Sequence, residues 1–159
     1  AKRNLGTKIT DAPLVIGLGP GFQAGRDVHM VVETNNSESL GKVILKGKAE
    51  RDTGIPIAIG GLTFERVLHS PEDGLFLANK QIGDLVATGQ VIGSVKDYPI
   101  RANIGGIIRG LLRSMEVRKG TKLGEIAPLG NKEICYTIRA KARAIAGGVL
   151  EAILIHFNS

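Results

Sequence analysis

One stretch of the sequence occurs twice, 31 positions apart, and this duplication constrains the fold more than any other feature. Residues 69–95 and 100–126 align with matching glycines and aliphatic residues. The aligned pairs include Gly74 with Gly105, Val86 with Val117, Gly89 with Gly120, and Gly93 with Gly124. Self-similarity at a fixed spacing indicates one structural unit used twice. Because two copies are too few for a solenoid, we expect two halves that fold against each other.

Each copy reads as a strand, a glycine turn, a second strand, a Val-x-x-Gly turn and a final strand. The chain has 22 glycines in 159 residues, which suits many tight turns. We therefore predict a mainly β protein of the α+β class, in which duplicated β-hairpin modules form a barrel-sandwich-like domain with a C-terminal helix. The expected segments are a β-rich segment with a glycine-rich loop at 1–66, the duplicated module at 67–127, and a loop and helix at 128–159 packed on the same domain.

Outside the repeat, the sequence predicts three strands and one helix. The predicted strands are an apolar run at 13–16 and two segments of alternating polarity at 27–34 and 40–49. The predicted helix covers about 139–156, where apolar residues recur at helical spacing. Gly147 and Gly148 each cost this helix up to about 1 kcal/mol relative to Ala. Close packing of the helix on a sheet would explain why they are tolerated.

Composition narrows the class of protein and its compartment. A single cysteine excludes an internal disulfide and favours a reducing, cytoplasmic setting. The sequence has no run of 18 apolar residues and no signal peptide, so we expect no membrane association. Because the first residue is Ala rather than Met, we expect the chain to be part of a longer protein with a further N-terminal region.

The positive charge is concentrated in the second copy of the repeat. Residues 96–143 hold eleven Lys or Arg and four Asp or Glu, a net of +7, whereas the rest of the chain nets −1. Such a surface attracts an anion, a nucleotide or an acidic partner, or it is only a solvated basic face. Nucleic acid is not an expected partner, because aromatic residues make up 4% of the chain and are not interleaved with the basic ones.

A glycine-rich loop after the first predicted strand is the first candidate site. Its glycines are Gly17, Gly19, Gly21 and Gly25. The loop departs from the dinucleotide-binding fingerprint at Phe22, and no helix is predicted to follow it. Two alternatives stay open, a nest of backbone N–H groups that binds an anion and a purely structural crossing loop.

The second candidate is a set of polar side chains predicted on one face of the strand at 27–34, namely Asp27, His29 and Glu33. Asp27 and His29 are about 7 Å apart along a strand, so they can converge on one metal ion or one proton-transfer site. Glu33 lies about 14 Å from His29, which is too far to share one ion. A catalytic zinc usually needs three protein ligands, so these residues alone establish no metal site. The alternative is an edge strand with a polar outer face.

Cys135 is a third and weaker candidate, as a reactive thiol. It precedes the predicted helix, and a helix N-terminus can activate a thiol. A lone cysteine is more often a small buried apolar residue, which is the alternative here. His69 and His156 have no companion at metal-ligand spacing, and we interpret both as structural.

The repeat resembles the two halves of a biotinyl/lipoyl-type barrel-sandwich domain, in which a Gly-Asp-x-Val-x-x-Gly turn recurs. Residues 83–89 (GDLVATG) match this turn well, and residues 114–120 (SMEVRKG) match it in part. That family carries its cofactor on a lysine in the hairpin that joins the halves, within Met-Lys-Met or Asp-Lys-Ala. Lys96 takes this place in a shorter turn with different neighbours, so a carrier function is not expected.

A second resemblance covers almost the whole chain and rests on separate blocks in the same order. The blocks are residues 11–22 (DAPLVIGLGPGF), 27–29 with 32–34, 54–56 with 59–61, 65–68, 135–138, and 141–144 with 147–152. Together they resemble the C-terminal part of the selenium-dependent molybdenum hydroxylase accessory (system) protein family. The resemblance implies a role in maturing a molybdenum hydroxylase that carries labile selenium, through handling of its cofactor.

Three functional hypotheses follow. The favoured one is a cytoplasmic accessory protein that binds an anionic cofactor or intermediate, such as a molybdopterin-type cofactor, molybdate or a selenium species. Its predicted site combines the glycine-rich loop with Asp27, His29 and Glu33, and with the counter-charge of Arg109 and Arg113. The expected partner is a molybdenum hydroxylase or its maturation machinery. The alternatives are a non-catalytic module that docks an acidic partner, and an enzyme that uses Asp27 and His29 as a metal-binding or acid–base pair.

Overall fold

The computed structural model describes residues 1–128 and 130–158, and over these ranges the chain is mainly β, with eleven strands in three sheets and a C-terminal helix. Contacts divide the chain into two compact units. Unit 1 comprises residues 1–54 and the chain from 138 onward, and unit 2 comprises residues 55–137. This division differs from the three expected segments, because 55–66 falls in unit 2 and the helix falls in unit 1.

Unit 1 contains a three-stranded sheet with the order β1-β2-β3. Its strands are β1 (Ile16–Leu18), β2 (Met30–Val32) and β3 (Val43–Ile44). β2 is parallel to β1 and antiparallel to β3. The strands lie within or beside the predicted segments but are shorter, because the flanking residues enter tight turns.

The structure shows that the predicted polar face of the second strand is wrong. Met30, Val31 and Val32 are all buried, so β2 has no exposed side. Val31 packs in an apolar cluster with Ala24, Val28 and Ala49. The strand loses its polar face because it is central in the sheet and is also contacted by the helix.

The C-terminal helix α1 (Ala140–Phe157) confirms the predicted helix to within one residue at each end. It contacts β2 and β3. A Cβ on Gly148 would collide with the carbonyl oxygen of Gly41 and would lie 2.8 Å from the Val32 side chain. The close approach of the helix to the sheet therefore explains why position 148 is a glycine. Within residues 1–128 and 130–158, no helix has the length and apolar character needed to cross a membrane.

Unit 2 contains the repeat, and each copy has four strands rather than the three predicted, because the segment at each turn valine also pairs as a strand. The first copy supplies β4 (Val67–His69), β5 (Gly74–Ala78), β6 (Leu85–Val86) and β7 (Val91–Val95). The second copy supplies β8 (Tyr98–Arg101), β9 (Gly106–Leu111), β10 (Met115–Val117) and β11 (Lys122–Ala127). The duplication in the sequence is therefore a duplication of four strands.

The two copies exchange strands between two four-stranded sheets. One sheet has the order β10-β5-β7-β8 and the other has the order β4-β11-β9-β6. Each sheet thus takes two strands from each copy, in equivalent positions. A core of buried aliphatic residues and Phe76 contains members of both copies, such as Ile92 with its counterpart Leu123 and Val95 with its counterpart Ile126.

One aligned pair needs correction. Gly74 pairs with Val117 and has φ of 154°, and the residue in the same position of the other sheet is Gly106, which pairs with Val86 and has φ of 150°. The counterpart of Gly74 is therefore Gly106 rather than Gly105. The offset arises because the second copy has one residue fewer between this glycine and its turn valine.

Candidate functional site

A buried carboxylate organises one edge of unit 1. Glu33 follows β2 directly, and its side chain is 2% exposed. Its Oε1 accepts hydrogen bonds from the backbone N–H groups of Thr34 and Asn35, both at 2.7 Å. Its Oε2 accepts one from the N–H of Glu50, also at 2.7 Å. Glu33 therefore fixes two chain segments that are distant in sequence, because buried polar atoms must be satisfied by such donors.

The segments that Glu33 fixes line a cleft, here called the Pro20 cleft. Its volume is about 310 Å³, at the lower end of the range for small-molecule sites. Besides the first residue of the chain, it is lined by Lys2, Pro20, Thr34, Asn35, Glu50, Asp52 and Lys141. Pro20 belongs to the glycine-rich loop, so the cleft lies where that loop meets the residues that follow Glu33.

The polar side chains of the Pro20 cleft form a small network. The Asn35 amide donates to Glu50 Oε2 at 2.7 Å, and Lys2 Nζ lies 2.8 Å from Asp52 Oδ2. The Lys2 hydrogen bond, followed by the N–H of Gly54, holds the pKa of Asp52 below its ordinary value. Lys141 contributes to the same effect through its charge. Asp52 is thus an anion that is paired with Lys2 and is also influenced by the charge of Lys141.

A second cleft of about 420 Å³ adjoins the first and shares Lys2, Pro20 and Asp52 with it. Lys48 and Arg51 line this second cleft. Together the two clefts carry four cationic side chains against the two carboxylates of Glu50 and Asp52. The combined surface has an excess of positive charge, which favours an anionic ligand.

The predicted glycine loop packs closely but does not offer its N–H groups as a nest. The N–H groups of Gly19, Gly21 and Gly25 donate to the carbonyl oxygens of Val32, Ala1 and Val28 respectively. These three donors are therefore engaged within unit 1. This arrangement fits the structural alternative for the loop better than a nest of free N–H groups.

Two positions of the loop require glycine, because another side chain lies too close to leave room for a Cβ. A Cβ on Gly17 would lie 2.6 Å from Cβ and Cγ of Phe22, which packs against this position. A Cβ on Gly19 would lie 2.6 Å from Oγ1 of Thr34. Gly19 also has φ of 85°, which favours glycine. The loop therefore sets the position of Thr34 at the Pro20 cleft.

Asp27 is bound to its own loop. Its Oδ2 accepts the N–H of Gln23 at 3.0 Å, and the Arg26 guanidinium contacts both carboxylate oxygens at 2.9 and 3.2 Å. The hydrogen bond from Arg26 is the main reason that the pKa of Asp27 lies below its ordinary value. Asp27 is therefore a carboxylate whose oxygens are already used.

The His29 ring also accepts a hydrogen bond from the backbone. Its Nδ1 accepts the N–H of Val15 at 3.0 Å, which places the ring proton on Nε2. A neutral histidine that binds a metal through Nε2 needs its proton on Nδ1. The ring of His156 lies edge-on to that of His29, with centroids 5.8 Å apart. The observed contacts therefore favour a structural role for His29.

The remaining candidates belong to unit 2. Arg109 donates to the carbonyl of Thr137 at 3.4 Å, and Arg113 is exposed. Cys135 is partly buried, with its Sγ 3.6 Å from the carbonyl of Ile108. Asp27, His29 and Glu33 lie in unit 1 with the glycine loop, so the predicted site residues are divided between the two units.

The described residues provide neither a cluster of metal ligands nor a flexible lysine that could carry a cofactor. In residues 1–128 and 130–158, no three His, Cys, Asp or Glu side chains are grouped so that they could hold a metal ion. Lys96 lies in the two-residue turn between β7 and β8, with φ of 49°. Its side chain folds back over Gly74, and its Nζ is 3.6 Å from Glu72 Oε2.

Sequence reasoning missed most residues of the Pro20 cleft. Lys2, Asn35, Glu50, Asp52 and Lys141 come from four separate parts of the chain, so no fixed spacing reveals them. The one available signal was Glu33, an acidic residue at the end of an apolar run. Its position identifies the cleft only when the partners of its carboxylate are known.

No protein-family model matches the chain. The protein YqeB of Escherichia coli (strain K12), whose name describes it as uncharacterized, is 46% identical over 156 residues. The alignment covers 98% of this chain and 29% of YqeB, so the chain spans less than a third of that relative's length.

Two solved structures are similar to part of the chain. An aspartoacylase family protein from Mesorhizobium loti has a TM-score of 0.39 and 24% identity, over 58% of this chain and 30% of the other. The product-bound ectoine utilization protein EutE from Ruegeria pomeroyi has a TM-score of 0.33 and 23% identity, over 52% and 27%. Both similarities are too weak to carry a conclusion about function.

Proposed function

We propose that this chain is a cytoplasmic accessory protein in the maturation of a selenium-dependent molybdenum hydroxylase, and that it binds an anionic cofactor or intermediate in the Pro20 cleft. The observation that carries the proposal is the arrangement around Glu33. One buried carboxylate fixes the backbone of Thr34, Asn35 and Glu50 at the edge of a cleft that also presents Lys2 and Lys141.

The chemistry of the lining suits an oxyanion. Lys2 and Lys141 supply point charges, and Lys48 and Arg51 extend the positive surface into the adjoining cleft. Thr34 and Asn35 supply a hydroxyl and an amide that can donate to oxygen. A molybdopterin-type cofactor, molybdate or an oxidised selenium species shares the required feature, which is a compact group of negatively charged oxygens.

The resemblance to the accessory protein family supports the biological context. The matching blocks include 11–22, which contains the glycine-rich loop, and 32–34, which contains Glu33. A further block, 141–144, contains Lys141. Three of the blocks that carry the resemblance thus contribute residues to the cleft or fix residues that line it.

We further propose that unit 2 is a barrel-sandwich-type scaffold that does not act as a carrier. The exchange of strands between two equivalent four-stranded sheets supports the scaffold. The short turn at Lys96 and the ion pair of this lysine with Glu72 argue against a swinging arm. The role of unit 2 is then to present a surface to the hydroxylase or its maturation machinery.

The proposal is tested by thermal unfolding of the purified chain with molybdate, selenite and a molybdopterin-type ligand, each in turn. A ligand that binds the folded state raises the midpoint, by an amount that depends on its concentration relative to Kd. Lys141→Glu should remove the rise. The matched control is Lys46→Glu, because Lys46 is an exposed lysine of unit 1 that does not line either cleft. The proposal fails if no ligand raises the midpoint, or if Lys141→Glu leaves the rise unchanged.

A second candidate function is a non-catalytic module that docks an acidic partner. It is favoured by Arg113 and Arg118, which are exposed and form no ion pair with any residue of the described ranges. Reversing both charges should abolish capture of an acidic partner such as the hydroxylase, whereas Lys141→Glu should leave capture intact. The opposite pattern would favour the Pro20 cleft as the contact instead.

The contacts of Asp27 and His29 do not support the third hypothesis, an enzyme that uses this pair of side chains. Asp27 accepts hydrogen bonds from Gln23 and Arg26, and His29 accepts one from Val15. These contacts leave neither side chain poised for metal binding or for proton transfer to a substrate.

A further inference from the structure

Arg66 is a buried arginine that forms no ion pair with an acidic residue in the described ranges. It is 2% exposed. Its Nε and Nη2 donate to the carbonyl oxygens of Leu62 and Ile57, and its Nη1 forms no hydrogen bond within residues 1–128 and 130–158. The neighbouring Glu65 is exposed, and its carboxylate accepts the N–H of Thr63. Because buried charges in proteins are normally paired, an anion is expected at the guanidinium of Arg66.

A second arginine, Arg109, lies at the same level of the sheet. Val67, which follows Arg66, pairs with Glu125 of β11. Glu125 also pairs with Gly110, which follows Arg109. The two arginines therefore flank β11, with about 10 Å between their backbones, because neighbouring strands lie close to 5 Å apart. Two arginine side chains can meet at one small ligand across this distance.

The charges of the two arginines influence each other. Burial lowers the pKa of Arg66, the charge of Arg109 adds to this lowering, and the weaker influence of Glu65 opposes it. Arg109 is partly buried and donates to the carbonyl of Thr137 at 3.4 Å, which is long for an N–H···O hydrogen bond. An anion between the two arginines would offset their mutual repulsion.

Arg109 is an extra residue relative to the first copy of the repeat. Glu125 pairs with Gly110 whereas Ile126 pairs with Ile108, so Arg109 forms a bulge in β9. The equivalent pairing in the first copy, between β5 and β7, runs without interruption. The scaffold can therefore be built without this residue. A bulge re-aims a side chain, and bulges are frequent next to functional sites.

The position of Arg66 is also occupied differently in the other sheet. Leu68 and Ile100 are equivalent, because they pair with the aligned glycines of β11 and β7. Two residues before them lie Arg66 in one sheet and Tyr98, which is 56% exposed, in the other. The repeat as a scaffold thus requires neither arginine, and the pair distinguishes one sheet from the other.

We propose that Arg66 and Arg109 together bind a phosphate group. Guanidinium groups bind phosphate oxygens through paired N–H donors. A phosphate ester carries a charge of about −1.5 to −2 at neutral pH, which balances two arginines, whereas a carboxylate carries a single charge. The two arginines belong to unit 2 and the residues of the Pro20 cleft belong to unit 1, so the inference does not depend on the function proposed for that cleft.

The experiment is calorimetric titration of the chain with inorganic phosphate at constant ionic strength, with chloride as the balancing salt. The Lys141→Glu variant is used throughout, because it removes a charge that would attract phosphate to the Pro20 cleft. One phosphate should bind per chain. Acetate should bind at least about tenfold more weakly, because its single charge balances only one arginine.

Substitution of each arginine in this background identifies the site. Arg109→Gln should weaken phosphate binding at least about tenfold, because it removes charge-assisted hydrogen bonds and leaves Arg66 in place. Arg66→Met should abolish binding, and Arg109→Gln decides the question if the loss of backbone contacts unfolds the Arg66→Met variant. Arg101→Gln is the matched control, because Arg101 also donates to a backbone carbonyl, that of Gly89 at 3.0 Å, but lies in the other sheet.

Glycerol phosphate shows whether the group belongs to a larger molecule. A site for a phosphorylated molecule binds this ester at least as tightly as inorganic phosphate, whereas a site for free phosphate binds it more weakly, and either result supports the site. The proposal is overturned if phosphate does not bind, if acetate binds equally well, or if Arg109→Gln and Arg101→Gln have the same effect.

Discussion

Val15 and His29 are joined by two hydrogen bonds that run in opposite directions. The His29 N–H donates to the carbonyl of Val15 at 2.9 Å, and the Val15 N–H donates to Nδ1 of the His29 ring at 3.0 Å. The imidazole thus completes the pairing of two chain segments just before β1 and β2. A side chain expected to face a ligand instead satisfies a backbone donor.

Replacing His29 by Ala should therefore affect stability and leave metal content unchanged. The variant leaves the partly buried N–H of Val15 without its acceptor, which costs about 1–2 kcal/mol of unfolding free energy. Chemical denaturation measures this change, and elemental analysis of the purified chain measures bound metal. His69→Ala is the control, because His69 is exposed and should alter stability by less than about 0.5 kcal/mol. Loss of a stoichiometric metal ion in His29→Ala would contradict the structural role.

Asp27 should make stability depend on pH in the acid range. Its pKa is lowered in the folded chain, first by the hydrogen bond from Arg26. The folded state therefore holds its proton less tightly than the unfolded state, and the carboxylate stabilises the fold above the unfolded pKa of about 3.9. This contribution disappears as pH falls through the folded pKa. Thermal midpoints from neutral to acid pH should show Asp27→Asn below the unmodified chain at neutral pH, with the difference closing below about pH 4. A constant difference across the range would contradict this assignment.

The two neighbouring glycines of α1 should respond oppositely to Ala. Gly148→Ala forces a methyl group into the Gly41 carbonyl and Val32, which should lower the unfolding free energy by about 1–3 kcal/mol. Gly147→Ala meets no atom within 4 Å and should raise it by up to about 1 kcal/mol through helix propensity. Chemical denaturation of the two variants measures the change in the free energy of unfolding. Equal effects would show that the helix does not pack closely on the sheet at Gly148.

The turn between β7 and β8 contains a lysine in the left-handed region, where glycine is favoured. Lys96→Gly and Lys96→Ala both remove the contact with Glu72, but only glycine relieves the backbone at φ of 49°. The glycine variant should therefore be more stable than the alanine variant by about 1 kcal/mol. Thermal or chemical unfolding of both variants measures the difference. An alanine variant as stable as the glycine variant would mean that the turn relaxes to another conformation.

Much of the strand pattern can be predicted from the sequence, because turns favour glycine and buried positions favour apolar residues. Gly89 and Gly120 have φ of 81° and 77°, and each precedes the last strand of its copy. Val86 and Val117 are both buried in the core. Pairing between strands leaves no such signal. The exchange of strands between copies, and the one-residue offset at Gly106, depend on partners that are distant in the chain.

The candidate site is harder to predict from the sequence, for a related reason. Glu33 is recognisable as an acidic residue beside an apolar strand, but its partners are backbone N–H groups. Every non-proline residue has such a group, so the sequence does not indicate which ones a carboxylate will bind. Lys2 and Lys141 are brought to one cleft by folding alone, and no local pattern links them.

Strand exchange also bears on how unit 2 can assemble and diverge. Each sheet needs two strands from each copy of the repeat, so neither copy can complete a sheet by itself. A chain cut between β7 and β8 would give two fragments that regain their structure only together. If the two copies were separate chains of identical sequence, every substitution would occur in both copies at once, and both sheets would have to accommodate it. Joined in one chain, the halves are released from that requirement, so one can become strongly basic while its counterpart does not.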